Sequence, residues 1–284
     1  MIPQAFEYTC PAELDVALEM SDAGSKPLAG GMSLIPMMKL RLATPDSLVD
    51  ISRLKELRFI GEEGEFVRVG ATTTHHEVEA SAILKRSCPL LPKTAVHIGD
   101  LQVRNVGTIG GSVAHADPAA DYPAALMALE ATVIVRSLRG ERGIPINDFM
   151  IDSFTTALEP GEIITSILLP VDGPNTGTSY VKMAQAASGY ALTGVAVRVR
   201  RSGNALSMVR VGITGVGPIA YRARTVEEAL EGTSGSEADI VRAAGLAAEG
   251  VEVMTDLNAA ADYRAHLAKV QTARALRQAL SELI

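Results

Sequence analysis

The sequence predicts an α+β fold of two packed units, on three observations. At 284 residues the chain is longer than the usual domain of roughly 100 to 200 residues. The stretch 172–178, with Gly173, Pro174, Asn175 and Gly177, reads as a linker between two differently patterned halves. Beyond it three strand-like runs come first and alanine- and leucine-rich helical segments follow, the segregated order of α+β proteins.

Taken in order, residues 13–21 set Leu14, Ala17, Leu18 and Met20 at near-helical spacing, with Gly24 as the stop. Residues 26–29, Gly30-Gly31 and 34–42 read as strand, glycine turn and helix. Strands at 48–51 and 66–70 follow, separated by a glycine-rich acidic turn over 61–64. Residues 76–84 and 90–98 are helical in period, the second ending at Gly99-Asp100. A second glycine turn, 107–112, precedes the small, polar stretch 114–121 and the apolar helix 123–129, where Pro123 suits a first turn. Residues 131–136, rich in β-branched side chains, read as a strand, and the apolar segment 163–169 ends at Pro170. In the second half, 179–183, 193–200 and 205–214 form an antiparallel meander, its last two strands joined by Ser202-Gly203-Asn204. Helical segments over 225–231, 237–250 and 261–283 complete the chain.

With 47% apolar and 21% charged residues, the chain can bury a substantial core, which excludes a disordered class. The 26 Lys and Arg against 33 Asp and Glu leave a net charge of −7, with no surplus for a nucleic-acid backbone or an anionic bilayer. No apolar run approaches the ~20 residues of a spanning helix. The opening MIPQAFEYTC has neither the basic nor the apolar region of a secretory signal, so a cytoplasmic protein is expected. Cys10 and Cys88 stand alone and read as reduced thiols, which excludes a four-cysteine iron–sulfur cluster. None of the five histidines falls in a ligand spacing, so no metal is expected in this chain.

Two glycine pairs, Gly30-Gly31 and Gly110-Gly111, each come just before a hydroxyl residue, Ser33 and Ser112. Both are compatible with ordinary tight turns. Equally, backbone without a Cβ lets a ligand approach, and successive N–H groups beside a hydroxyl bind phosphate oxygens without any lysine. Neither pair fits GxGxxG or GxxxxGKS, so a Rossmann fingerprint and a Walker loop are excluded. Asp121 before Pro123 has the chemistry of a helix N-cap as well as of a ligand acceptor. Lys182 by default is a solvated strand residue and Tyr190 a core one, while His75, His76 and His115 read as cap or surface residues.

The strings Pro27-Leu28-Ala29-Gly30-Gly31-Met32-Ser33-Leu34-Ile35-Pro36 and Val103-Arg104-Asn105-Val106-Gly107-Thr108-Ile109-Gly110-Gly111-Ser112 carry a resemblance, extended by 117–123, Glu159-Pro160-Gly161-Glu162-Ile163-Ile164, Tyr180-Val181-Lys182 and Tyr190-Ala191. Together they resemble the FAD-binding medium subunits of the molybdenum hydroxylases, with carbon monoxide dehydrogenase medium subunits the nearest pattern. The resemblance covers essentially the whole chain. It implies a vanillyl-alcohol-oxidase-type FAD-binding domain over 1–172, in subdomains of about 1–56 and 57–172. A C-terminal domain of the carbon monoxide dehydrogenase flavoprotein type, three antiparallel strands with a helical bundle, follows over 178–284.

By the same resemblance, Pro27, Leu28, Ala29, Gly30, Gly31, Met32, Ser33 and Leu34 hold the FAD pyrophosphate through backbone N–H groups, together with Thr108, Ile109, Gly110, Gly111 and Ser112. Asp117 belongs to the same set and Asp121 takes the ribose or adenine side. Ile164 lies against the adenine or ring system, Lys182 near the isoalloxazine and Tyr190 against the flavin ring. Met32 stands where relatives carry more polar residues, and 184–189 lacks the charged residues relatives place before the tyrosine. The implied function is electron transfer through non-covalent FAD, with no catalytic residue here. A small subunit would carry [2Fe–2S] clusters and a large one molybdopterin, in a dimer of heterotrimers. A stand-alone FAD dehydrogenase and a flavin-less scaffold are the alternatives, and the medium subunit of an N-heteroaromatic, purine or aldehyde hydroxylase is the alternative to carbon monoxide.

Overall fold

The computed structural model, which describes residues 2–283, sorts the apolar side chains into three cores, each under its own sheet. In the first, Leu14, Ala17 and Leu18 of helix Leu14–Asp22 pack on Val49 and Ile51. The strands Glu7–Thr9, Ser47–Asp50 and Lys26–Leu28 lie parallel in that order. Parallel neighbours need a crossover, and helices Leu14–Asp22 and Leu34–Lys39 provide the two.

The central sheet is antiparallel, in the order Ile60–Glu63, Phe66–Gly70, Ile163–Pro170, Thr132–Ser137 and Gly140–Pro145. Six short helices connect Gly70 to Thr132. The last of them, Asp121–Leu129, is buried at every residue, as a helix apolar on all sides must be. It lies against the C-terminal sheet so closely that a Cβ on Gly212 would sit 1.9 Å from Ala124 O.

That third sheet runs Thr176–Ala184, Ala191–Ser202, Ala205–Thr214 and Tyr221–Arg222, all antiparallel. Val195, Val197 and Val199 face the C-terminal core, where helix Ala261–Ser281 supplies Ala268, Ala275, Leu276 and Ala279. Ala196, on the opposite face, joins the central core, as the two-residue period of a strand requires.

Four local expectations are corrected. Residues 61–64 belong mostly to strand Ile60–Glu63, and the turn narrows to Gly64, at φ +64°. The helix expected over 76–84 breaks at Ser81, whose hydroxyl caps a new helix, Ala82–Ser87. Residues 109–115 form a helix, with Thr108 as its N-cap, because Gly110 and Gly111 serve close packing instead of a turn. A fourth strand, Tyr221–Arg222, joins the meander.

Candidate functional site

Segments of the first two sheets and the 188–190 connection of the C-terminal sheet line one cavity of about 870 Å³, within the roughly 300–1,000 Å³ of cofactor sites. Of the expected site residues, all but Ile109 and Lys182 line it. Ile109 is fully buried in the central core and anchors its loop from beneath.

The two glycine segments differ in what they offer. In the first, Gly31 takes φ +71°, and the N–H groups of Gly30, Gly31, Met32 and Ser33 donate to no protein group among the described residues. None of the four residues is buried, so these donors stand open on the cavity wall, and a run of successive free N–H groups suits an anion. A Cβ on Gly30 would lie 2.1 Å from Val106 O, which presses the first segment against the chain entering the second.

In the second segment the donors are committed. Ile109 N donates to Thr73 O at 3.0 Å and Gly110 N to Ala71 O at 2.9 Å. Gly111 N reaches Thr108 Oγ1 at 3.1 Å, and Ser112 N reaches Thr108 O at 3.0 Å. Thr108, Gly110, Gly111 and Ser112 therefore form a wall whose N–H groups are largely satisfied.

Asp121 is the first helical residue and not the cap, which is Ala120. Its buried carboxylate accepts from Tyr180 Oη at 2.5 Å and from Lys182 Nζ at 2.9 Å. Burial raises the Asp121 pKa, opposed by the Lys182 ammonium and both hydrogen bonds. Lys182 also donates to His97 O at 3.0 Å, so its charge is spent on Asp121 and a carbonyl behind the cavity wall. Asp117 accepts from Ala119 N at 2.8 Å and orders the turn ahead of the helix.

Tyr190, 42% exposed, borders the cavity beside Ser33, and burial of its ring raises its pKa. Ile164 forms part of an apolar wall with Leu158 and Ile163.

Sequence reasoning missed several lining residues. His75 is buried beside Tyr122, ring centroids 5.3 Å apart, and burial with the nearby Arg104 charge pushes its pKa down to about 4. The Thr74–Glu77 capping box marks this helix start in sequence, but nothing there says that His75 turns inward. The turn Glu159–Glu162 also lines the cavity, with Gly161 at φ +82° against Asp22. Arg142 grips Glu162 through two bonds of 2.7 and 2.8 Å and so holds its carboxyl below the usual range.

The residues present suit a flavin dinucleotide: unengaged N–H groups for a diphosphate, carboxylates for sugar hydroxyls, and apolar or aromatic walls for two ring systems. Comparison with known proteins agrees. The family model described as "FAD binding domain in molybdopterin dehydrogenase" matches residues 4–172, and "CO dehydrogenase flavoprotein C-terminal domain" matches 178–279. The carbon monoxide dehydrogenase medium chain of Hydrogenophaga pseudoflava is 39% identical, over 98% of each chain. The glyceraldehyde dehydrogenase medium chain of Sulfolobus acidocaldarius is 37% identical, over 98% of this chain and 99% of the other. A solved carbon monoxide dehydrogenase from Hydrogenophaga pseudoflava, lacking the Mo-pyranopterin moiety of its cofactor, superposes with TM-score 0.96 at 39% identity and 100% coverage of both chains. With both family models matched in order and relatives of this identity aligned along its length, the chain belongs to the FAD-binding medium subunits of the molybdenum hydroxylases.

Proposed function

We propose that this chain is the medium subunit of a carbon monoxide dehydrogenase-like heterotrimer, paired with a small [2Fe–2S] subunit and a large molybdopterin subunit, the whole assembling as a cytoplasmic dimer of heterotrimers. The single observation that carries the FAD site is the run of unengaged N–H groups at Gly30–Ser33 on the wall of a cavity to which both subdomains and the 188–190 loop contribute. When bound, FAD supplies the exchange of electrons between single-electron clusters and an external acceptor.

Within the segment Pro27 to Leu34, the free N–H groups of Gly30 to Ser33 hold the diphosphate, and Thr108, Gly110, Gly111 and Ser112 close the facing wall, with Ile109 as the anchor beneath them. Asp117 and Asp121 accept from sugar or ribityl hydroxyls. Ile164 packs against one ring system and Tyr190 against the other. Lys182 acts through Asp121, fixing the carboxylate without touching the cofactor. No residue of this chain needs to act as acid or base on the organic substrate. A division at 1–56, 57–172 and 178–284 follows the three cores in the main, with Leu57 and Ile163 packing into the first core and Tyr180 and Ala196 into the central one across those bounds.

The substrate is set on the molybdenum subunit, so the test uses the complex. Anaerobic addition of carbon monoxide is expected to bleach the cluster bands and then the flavin band. Bleaching by an aldehyde, purine or N-heteroaromatic alone would transfer the complex to that substrate and leave the electron-transfer role intact.

A further inference from the structure

The turn 117–121 has two sides. Asp117, Ala120 and Asp121 line the cavity, while its backbone carbonyls point to the C-terminal sheet. Thr214 Oγ1 lies 2.8 Å from both Pro118 O and Ala120 O, so one hydroxyl proton is shared between two carbonyls of this turn. Gly215 N donates to Pro118 O at 2.8 Å and Ala191 N to Ala119 O at 3.2 Å. Tyr180 and Lys182 of the same sheet hold the Asp121 carboxylate. Behind them Arg264, from the long C-terminal helix, donates to Leu192 O and Gly215 O and is tied to Asp256 at 2.7 Å. Every one of these donors comes from the C-terminal domain, yet only residues 188–190 of that domain reach the cavity.

We infer that the C-terminal domain sets the affinity for FAD largely without touching it, by clamping the turn 117–121, with Thr214 as the positioning residue. The inference rests on the FAD site proposed above. Thr214 is fully buried, and the turn it grips presents both cavity carboxylates. Loss of its proton takes the side-chain donor from Ala120 O, leaves Pro118 O with Gly215 N alone, and lets the turn relax. Asp117 and Asp121 then must be re-ordered each time the cofactor binds, a coupling between domain docking and ligand binding.

The test compares Thr214→Val, which keeps the shape and removes the hydroxyl, with Thr214→Ser, which keeps the hydroxyl. Each is made in the assembled complex, depleted of flavin and titrated with FAD by fluorescence, with thermal unfolding measured alongside. The valine variant is expected to raise the FAD dissociation constant roughly five- to tenfold while serine stays within about twofold of the native complex. Should valine fail to fold, Thr214→Ala against Thr214→Ser carries the same comparison. Valine and serine binding like the native complex, or weakened equally, would overturn the clamp. A native complex that takes up no FAD would instead reject the site itself.

Discussion

At Gly30 a Cβ would lie 2.1 Å from Val106 O and 2.9 Å from Gly107 Cα, and both obstacles are backbone. Gly30→Ala is therefore expected to destabilise the chain by about 1–3 kcal/mol and to lower its flavin content, read by denaturant unfolding and the flavin-to-protein ratio. His75 makes a second prediction at this scale. Its pKa is 6.5 when unfolded and about 4 when folded, so between these values the unfolded chain binds the extra proton. Stability contributed by keeping it neutral is whole above pH 6.5 and falls as pH drops towards 4, by about 3 kcal/mol at the end. His75→Gln should flatten that part of the pH–stability curve; an unchanged slope would contradict the assignment. The glycine pairs were legible in sequence because their spacing to a hydroxyl is local. The Asp121–Lys182 pair was not, since its partners lie 61 residues apart and meet only across a domain contact.

Among elements, the long regular ones were legible and the edges were not. The strand Gly140–Pro145 went unread because four of its first residues are exposed, so no apolar alternation marks it. The helix Ile109–His115 was masked by two glycines that suggest a turn, although they let the helix approach Ala71, 2.6 Å from a Cβ built on Gly110. The junction between the central and C-terminal sheets depends on a buried ion pair, Arg198 Nε to Asp172 Oδ1 at 2.5 Å, with side chains only 4% and 7% exposed. Burial raises the Asp172 pKa, and Arg198 opposes that rise. Arg198→Met leaves this carboxylate uncompensated and should cost about 3–5 kcal/mol in urea unfolding. The double variant Arg198→Met with Asp172→Leu should recover much of that loss, and no recovery would locate the cost in packing instead.

For the whole molecule, the α+β class and the strand-then-helix order of the second half could be read from patterning alone. The convergence of distant segments on one cavity could not, because no periodicity reports how separate sheets and loops are arranged around a space. That cavity joins residues from 21 to 190, and the FAD-binding subunit stands or falls on its contents. The most direct measurement is the absorption spectrum of the protein co-purified from its own host, with every polypeptide in the peak weighed by mass spectrometry. Oxidised-flavin absorption close to one FAD per chain, in a peak that also holds an iron–sulfur and a molybdopterin subunit, is the predicted result. A colourless, folded chain without partners would contradict the electron-transfer role, and a lone flavoprotein bleached by its own substrate would contradict the heterotrimer.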